Sequence, residues 1–276
     1  MPADPQSDPQ SILAVTAHRP WPLPPRPWRL RQRWNDLLFA HWPVSPPEIQ
    51  RLLPPGLELD TFDGHAWVGV IPFWMDNVVT RSVADRTFAI PTTRTFPELN
   101  LRTYVRSSLT GRAGVYFFSL DCASPLAVLG ARTIFHLPYF PAKMTRITTG
   151  STVTYTSHRQ LTRHPVRYEA TYAPLREASN TPRSGARPAL GRSCLESFLT
   201  ERYCLFTHSR NRILVGEIHH HPWPLEPAVA EIRLNEIPAA HGITLPGTPP
   251  ILHFSRQLEV ILWSLRADTA SDSSYG

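Results

Sequence analysis

The sequence predicts an α+β protein, most of which forms an antiparallel β-barrel or sandwich with a few short helices. Three observations support this fold class. Short strand patterns follow one another along the middle of the chain, and clusters of Gly, Pro or Ser separate them. Turn sequences containing Gly stand between several of these patterns. One pattern, residues 96–105, alternates between two kinds of side chain, as a strand with two different faces does.

The chain of 276 residues is interpreted as a single domain over residues 27–266, flanked by two less ordered ends. Residues 1–26 are rich in Pro, Asp, Gln and Ser without hydrophobic periodicity, which predicts a disordered, proline-rich leader. Residues 267–276 are expected to form a loose tail. With 42% hydrophobic and 18% charged residues, the chain as a whole has the composition of a globular protein.

Two helices are predicted among the strands. The first begins at Ser45, which is expected to cap it, with Pro46 in the first position and Glu48 completing a capping box. The second is predicted at residues 193–202, after a mobile loop over residues 174–192. Strands are predicted over residues 34–42, 65–73, 99–106, 114–121, 131–136, 143–148, 151–157, 203–207, 212–220 and 251–264.

The charge and cysteine content exclude several classes of protein. Lys143 is the only lysine, so the net charge of +6 comes from arginines that are dispersed along the chain, and no nucleic-acid partner is predicted. Cys122, Cys194 and Cys204 form no CxxC pair, which argues against a disulfide framework or a zinc ribbon and favours the cytoplasm. Neither a secretory signal nor a long apolar run is present, so no membrane partner is predicted.

The polar face of residues 96–105 is the strongest sign of a functional site. Glu98, Asn100, Arg102 and Tyr104 alternate with apolar residues and Thr, so all four lie on one side of a strand. An acid, an amide, a guanidinium and a phenol in a row are typical of a barrel interior that holds a polar ligand. The alternative is an ordinary solvent-facing strand face.

Motifs for metals, nucleotides and activated nucleophiles are absent. The three consecutive histidines at 219–221 cannot all face one side of a strand, and no HExxH pattern accompanies them, so no metal site is predicted. The sequence has no GxGxxG, P-loop or GxSxG motif, and no cofactor is predicted. His41 lies in an apolar segment, where it is either a core histidine or part of a pocket.

Six segments in order resemble the YqjF-like family, which consists of bacterial proteins with a domain of unknown function. The resemblance spans residues 28 to 265, and that family is in turn similar to acetoacetate decarboxylase. It therefore implies the acetoacetate decarboxylase-like fold, an antiparallel barrel with a ligand-sized interior. The segments are FAHWPV (39–44), FPELNLRTYV (96–105), GVYFFSLD (114–121), ARTIFHLPY (131–139), SHR (157–159) and HHPWPL (220–225).

The resemblance also assigns individual positions. Acetoacetate decarboxylases form a Schiff base on the first lysine of a Tyr/Phe-Pro-Lys-Lys pattern, and residues 140–143 here read FPAK. Ala142 falls on the imine-forming position with Lys143 beside it, unless the alignment shifts by one residue. Pro43 falls on the position of the family's active-site arginine and Glu98 on its pocket glutamate. Decarboxylation through a Schiff base is therefore not expected.

Two function hypotheses follow. The first is an enzyme of lyase or isomerase type on a small organic acid or carbonyl compound, with Glu98 as general acid and base and Arg102 holding an anionic group. The second is a non-catalytic module that binds or senses such a ligand. Both hypotheses are compatible with a homo-oligomer. The expected substrate-binding residues are His41, Trp74, Asn100, Arg102, Tyr104, Phe118, Arg132, Tyr139 and Lys143.

A third interpretation makes the polar row structural. Because about 13 Å separates positions i and i+4 along a strand, Glu98 and Arg102 would each need a charged partner from another strand. The candidate partners are Asp121, Arg132 and Arg159.

Overall fold

The computed structural model describes residues 9–82, 86–88, 95–175 and 195–270. The helices are α1 (Pro9–Ala14), α2 (Pro46–Gln50), α3 (Pro125–Ile134) and α4 (Leu195–Thr200), with a 3₁₀ turn at Ala239–His241. The strands are β1 (Leu30–Val44), β2 (Leu57–Leu59), β3 (Ala66–Arg81), β4 (Thr87–Phe88), β5 (Phe96–Ser107), β6 (Ala113–Cys122), β7 (Tyr139–Thr149), β8 (Thr152–Arg159), β9 (Arg167–Pro174), β10 (Cys204–Ser209), β11 (Arg212–His219), β12 (Glu226–Asn235), β13 (Ile251–Leu262) and β14 (Arg266–Ala267).

The strands that the structure describes close two barrels that share a wall. One ring of hydrogen-bonded neighbours runs β6–β7–β8–β9–β12–β13–β1–β3–β5 and back to β6, and we refer to it as the nine-strand barrel. A second ring runs β6–β10–β11–β13–β1–β3–β5, and we refer to it as the seven-strand barrel. Neighbours are antiparallel except for β6 with β7 and β6 with β10, which are parallel. The mostly antiparallel barrel predicted from the sequence is thus confirmed.

The shared wall separates two hydrophobic cores, because successive side chains of a strand point to opposite faces. On β1, Leu37 and Phe39 pack into the core of the seven-strand barrel. Their neighbours Leu38 and Ala40 pack into the core of the nine-strand barrel. Both faces are therefore buried in the middle of β1, β3 and β5, and a polar side chain there needs a partner inside one barrel or the other.

Two local predictions are wrong. Residues 131–136 were expected to form a strand, but α3 extends to Ile134 because it begins upstream at Ser124, whose Oγ accepts a hydrogen bond from Ala127 N. A six-residue apolar pattern is too short to distinguish the two elements. The capping box at α2 is also not formed, since the side chain of Ser45 makes no cap hydrogen bond. Glu48 instead accepts a hydrogen bond from the backbone N of Thr244, which lies far along the chain.

The chain from Pro9 onward packs on the barrel, which differs from the expected disordered leader. Ile12 of α1 is 1% exposed, and Arg19 forms a buried ion pair with Glu217 of β11 at 3.2 Å. These partners are about two hundred residues away in sequence, so no local pattern reveals them. Residues 1–8 lie outside the described part, as does most of the predicted 174–192 loop.

The tail is also anchored at its beginning. Residues 266 and 267 form β14, which pairs with β11, and Asp268 accepts a hydrogen bond from the hydroxyl of Ser107. Residues 271–276 lie outside the described part. None of the described helices has the length and apolar character needed to cross a membrane.

Candidate ligand site in the seven-strand barrel

The polar row of β5 faces the interior of the seven-strand barrel. Leu99 and Leu101 pack in the core of the nine-strand barrel, whereas Tyr104 packs in the core of the seven-strand barrel. The polar residues that alternate with the leucines are only 3 to 7% exposed. The interpretation as a solvent-facing strand face is therefore excluded. These residues are Glu98, Asn100 and Arg102.

Glu98 lies at the first end of the row and is paired with a phenol. The hydroxyl of Tyr139 on β7 donates to Oε2 of Glu98 at 2.7 Å. Burial raises the pKa of Glu98 to about 8, although the Tyr139 hydrogen bond opposes this shift, and the charge of Asp121 adds to it. Glu98 is therefore mostly protonated at neutral pH and can deliver a proton.

A chain of three hydrogen-bonded groups lies at the other end of the row. Tyr104 donates its single hydroxyl proton to the carbonyl O of Leu199 in α4 at 2.7 Å, because a carbonyl can only accept. Its oxygen must then accept from Nε2 of His41, which lies 2.6 Å away. Burial, followed by the charges of Arg102 and His253, holds the pKa of His41 well below its usual range. His41 is thus neutral, with its proton on Nε2.

The second nitrogen of His41 has no partner. With the proton on Nε2, Nδ1 carries a lone pair and can only accept a hydrogen bond. This atom is buried and has no hydrogen-bond partner in the described parts of the chain. An unpaired buried acceptor costs free energy and marks a place where a donor from outside the chain would be stabilising.

Gly69 on β3 makes the position of His41 possible. The residues His41, Gly69 and Arg102 are aligned across β1, β3 and β5. A Cβ atom at Gly69 would lie 2.9 Å from Cδ2 and Nε2 of His41, closer than real side chains approach. Only glycine therefore lets the imidazole cross β3 and reach Tyr104. Gly69 was not predicted as a site residue, although a lone glycine inside a strand pattern signals a close approach of this kind.

Among the residues that the structure describes, Arg102 is the buried arginine without an acidic partner. Its Nη2 donates to the carbonyl O of Leu199 at 2.9 Å, and its guanidinium lies 5.4 Å from the ring centre of Phe39. Its Nε is buried without a hydrogen-bond partner, and no carboxylate pairs with it among the described residues. The other buried arginines, by contrast, each form an ion pair with a carboxylate: Arg19 with Glu217, Arg159 with Asp121 and Arg202 with Asp60.

Two further polar side chains beside this cluster have an unpaired buried atom. Nε1 of Trp223 lacks a hydrogen-bond partner, and the indole packs edge-on against Phe39 at 4.8 Å. Oδ1 of Asn100, between Glu98 and Arg102 on β5, also lacks one. Trp223 was missed as a site residue because nothing in its sequence context places it near β5.

The predicted site residues Trp74 and Phe118 interact with residues outside the polar row. Trp74 donates from Nε1 to Oδ2 of Asp36 at 3.0 Å, and the guanidinium of Arg146 lies over its ring at 4.2 Å. Phe118 packs edge-on against Tyr116 at 5.6 Å and against the core of the nine-strand barrel. These hydrogen-bond and ring partners in the described structure are not members of the polar row.

Arg132 and Lys143 are exposed. The guanidinium of Arg132 on α3 lies 5.7 Å from the ring centre of Phe140. Lys143 lies on β7 next to the buried Ala142, with its side chain on the outer face. The structure therefore brings Glu98 together with Tyr139, and His41 together with Arg102 and Tyr104. Arg132 and Lys143 belong to neither group. Neither Glu98 nor Arg102 has the charged partner that the structural interpretation required, since Asp121 and Arg159 pair with each other.

Two of the three histidines at 219–221 are engaged with the backbone. Nε2 of His219 lies 2.8 Å from the carbonyl O of Ile12, and Nδ1 of His220 lies 2.7 Å from that of His221. Within the described ranges, no three His, Cys, Asp or Glu side chains form a group that could hold a metal ion.

A cleft of about 400 Å³ opens beside the Glu98 end of the row. Phe96 and Pro97 at the start of β5 form one side, and residues 123–126 at the start of α3 form the other. Glu98 follows Pro97 on β5 and pairs with Cys122 of β6, but its side chain is buried and does not line the cleft.

Comparison with known families identifies the chain. The model of the DUF2071 family, described as an uncharacterized conserved protein, matches residues 31–259. The chain belongs to this family. The uncharacterized protein YqjF of Bacillus subtilis strain 168 is 45% identical over 239 residues, which cover 87% of this chain and 92% of that protein. The predicted membership of the YqjF-like family is confirmed.

Solved structures of this fold include acetoacetate decarboxylase-like proteins. Acetoacetate decarboxylase from Legionella pneumophila aligns with a TM-score of 0.56 and 15% identity over 94% of each chain. The enduracididine biosynthesis enzyme MppR, complexed with the condensation product of pyruvate and imidazole 4-carboxaldehyde, aligns with a TM-score of 0.56 and 14% identity over 88% of this chain and 90% of its own. At such identities the likeness establishes the fold, and the predicted acetoacetate decarboxylase-like fold is confirmed.

Proposed function

We propose that this protein binds a small organic anion in the seven-strand barrel and that Glu98 transfers a proton to or from it. The observation that carries the proposal is Arg102, which is 7% exposed and has no carboxylate partner among the described residues. A buried charge is costly unless an opposite charge accompanies it. An anionic ligand supplies that charge, and the unpaired Nε supplies a directed hydrogen bond.

A carboxylate is the anion that best fits this site. A guanidinium donates through parallel N–H groups that match the two oxygens of a carboxylate. Another structure of MppR, which has the same fold, is complexed with pyruvate, so small carboxylates are the appropriate probes. Because Glu98 and Arg102 are about 13 Å apart along β5, a ligand that reaches both must be extended, with its anionic group at one end and its reacting centre at the other. Shorter acids therefore test the anion site at Arg102 alone.

Glu98 is the group for proton transfer. Its pKa of about 8 lies near neutral pH, where both the protonated and the ionised form of the carboxyl group are available. The hydroxyl of Tyr139 fixes Oε2, and the cleft at Phe96 and Pro97 is formed by the residues that precede Glu98 on β5. The reaction is of lyase or isomerase type and forms no imine, because Ala142 has no amine and Lys143 is exposed.

A non-catalytic binding or sensing role is the second candidate. The observation in its favour is the carbonyl O of Leu199, which accepts hydrogen bonds from both Arg102 and Tyr104. A ligand that attracts the guanidinium of Arg102 weakens one of these two bonds and so changes how α4 is held. This role needs no proton transfer at Glu98.

Thermal unfolding with a panel of small mono- and dicarboxylates tests the binding. Preferential binding to the folded state raises the melting temperature of the natural protein. We expect Arg102→Met to lose this shift, whereas the exposed Arg132→Met keeps it. If no carboxylate stabilises the natural protein, or Arg102→Met responds like the control, the proposal is wrong.

Turnover separates the two candidates. Each ligand that stabilises the protein is incubated with it, and the products are followed by NMR. We expect Glu98→Gln to bind the ligand but lose turnover. Binding without any turnover supports the sensing role, and turnover that survives in Glu98→Gln rules out Glu98 as the proton-transferring group.

A further inference from the structure

The unpaired atoms around Phe39 constrain the chemistry of the ligand beyond its charge. The ring of Phe39 lies between three side chains of the site: the imidazole of His41 is stacked 6.0 Å away, the guanidinium of Arg102 lies at 5.4 Å and the indole of Trp223 at 4.8 Å. Each of the three has one buried nitrogen without a partner in the described structure. The side chains that carry these nitrogens therefore all pack around one ring.

The three nitrogens differ in whether they require a hydrogen-bond acceptor or a donor from a ligand. Nε of Arg102 and Nε1 of Trp223 are N–H donors, and both are satisfied by the oxygens of a carboxylate. Nδ1 of His41 is an acceptor, because its tautomer is fixed by the hydrogen bonds from His41 through Tyr104 to Leu199. A plain carboxylate therefore satisfies the two donors and leaves the acceptor unpaired.

We propose that the ligand is a hydroxy acid, whose carboxylate binds Arg102 and whose hydroxyl group donates a hydrogen bond to Nδ1 of His41. This inference rests on the proposed anion site and names the class of compound that it takes. His41 and Arg102 lie on β1 and β5 with Gly69 of β3 between them. The imidazole of His41 extends across Gly69 to Tyr104 and so reaches the strand that carries Arg102.

Competing groups fit His41 less well. The oxygen of a keto acid has only lone pairs, which face the lone pair of Nδ1 and leave it unsatisfied. The ammonium of an amino acid is a donor, but it would be a second cation near Arg102, whose charge already disfavours the cationic form of His41. A hydroxyl group is a neutral donor. Asn100 does not discriminate, since an amide offers either a donor or an acceptor.

Calorimetric titration with matched pairs of acids tests the inference. The pairs are lactate with pyruvate, 3-hydroxybutyrate with acetoacetate, and 4-hydroxypentanoate with 4-oxopentanoate, so that the oxygen is placed at three distances from the carboxylate. We expect at least one hydroxy acid to bind about tenfold or more tightly than its keto partner, from the net gain of one hydrogen bond to a buried acceptor. In His41→Phe, which keeps an aromatic ring beside Phe39, this preference should disappear.

The outcomes distinguish the inference from the proposal on which it rests. If the keto and hydroxy acids bind equally and Arg102→Met abolishes both, the hydroxyl contact is wrong and the anion site stands. If neither acid of any pair binds, the anion site itself is wrong.

A measurement on the unaltered protein covers the case in which His41→Phe does not fold. The ¹⁵N resonance of His41 Nδ1 should move toward the value of a hydrogen-bonded nitrogen when the hydroxy acid is added, but not with the keto acid. An unchanged Nδ1 resonance with a bound hydroxy acid overturns the inference.

Discussion

The two barrels each contain an arginine in a buried polar cluster, and the two clusters are completed differently. In the nine-strand barrel, Nε of Arg159 donates to Asp121, its Nη2 donates to Ser119 and its Nη1 lies 3.0 Å from Nε2 of His241. The hydroxyl of Ser157 donates to the second carboxylate oxygen of Asp121 at 2.9 Å. Each charged group of this cluster thus finds its partner within the protein.

The cluster of the seven-strand barrel is equally buried but incomplete. Arg102 has no carboxylate partner in the described structure, and His41, Asn100 and Trp223 in the same core each have a buried atom without a hydrogen-bond partner there. A satisfied network stabilises one conformation, whereas a half-satisfied network only lowers stability unless a ligand completes it. Among buried polar clusters, the unsatisfied one is therefore the candidate for binding.

The largest expected difference is between Arg159→Met and Arg102→Met. Removing Arg159 leaves the carboxylate of Asp121 buried and unpaired, which should cost about 3–5 kcal/mol of the free energy of unfolding. Removing Arg102 deletes an unpaired charge, so stability without ligand should stay the same or rise. Urea unfolding of both variants measures this, and equal losses would contradict the contrast between the barrels.

The next effect is the pH dependence caused by Glu98. Because burial raises its pKa from 4.5 to about 8, the folded state binds the proton more tightly than the unfolded state. The stabilisation by protonated Glu98 is complete below about pH 4.5 and is lost as the pH rises to about 8. Relative to the natural protein, Glu98→Gln should gain on the order of a few kcal/mol between about pH 5 and about pH 9.

Urea unfolding across this pH range checks the prediction. The exposed Glu58→Gln serves as the control and should produce no such gain. If Glu98→Gln and the control follow the natural protein in parallel, then Glu98 is not held protonated by the seven-strand barrel. Where the protein turns over a ligand, the activity limb that depends on the protonated acid should fall above about pH 8.

A smaller effect is expected from Gly69→Ala. The added methyl group would lie 2.9 Å from the imidazole of His41, so the ring must move and its hydrogen bond with Tyr104 weakens. Overpacking of this kind costs about 1–3 kcal/mol. Gly130→Ala is the matched control, because a Cβ there meets no atom within 4 Å and alanine favours the helix. Equal stability of the two variants would show that His41 does not depend on the glycine.

The smallest effect is expected from Tyr139→Phe. Its hydroxyl lowers the pKa of Glu98, so the variant should shift the pH dependence of stability toward higher pH and cost about 1 kcal/mol. Tyr168→Phe is the control, since the buried Tyr168 hydroxyl has no hydrogen-bond partner in the described residues. The same unfolding series measures both, and a shift in the control but not in Tyr139→Phe would contradict the pairing with Glu98.

The sequence by itself determined the mostly antiparallel strand architecture and which residues of β5 share its polar face. Strand patterns separated by turns predicted an antiparallel barrel or sandwich, and the two-residue period of 96–105 put Glu98, Asn100, Arg102 and Tyr104 on one face. Both inferences depend on the local geometry of a strand, which neighbours along the chain control. The helix at α3 escaped this reasoning, because its cap at Ser124 lies upstream of the pattern that was taken for a strand.

Only the tertiary structure decided which of two barrels the row faces and which of its members lack a partner. Arg102 and Tyr104 meet the carbonyl of Leu199 nearly one hundred residues away, and Arg159 meets Asp121 thirty-eight residues away. The sequence presents both arginines as buried strand residues of the same kind. Whether a buried charge is satisfied depends on groups brought together by folding, and this satisfaction distinguishes the structural cluster from the candidate site.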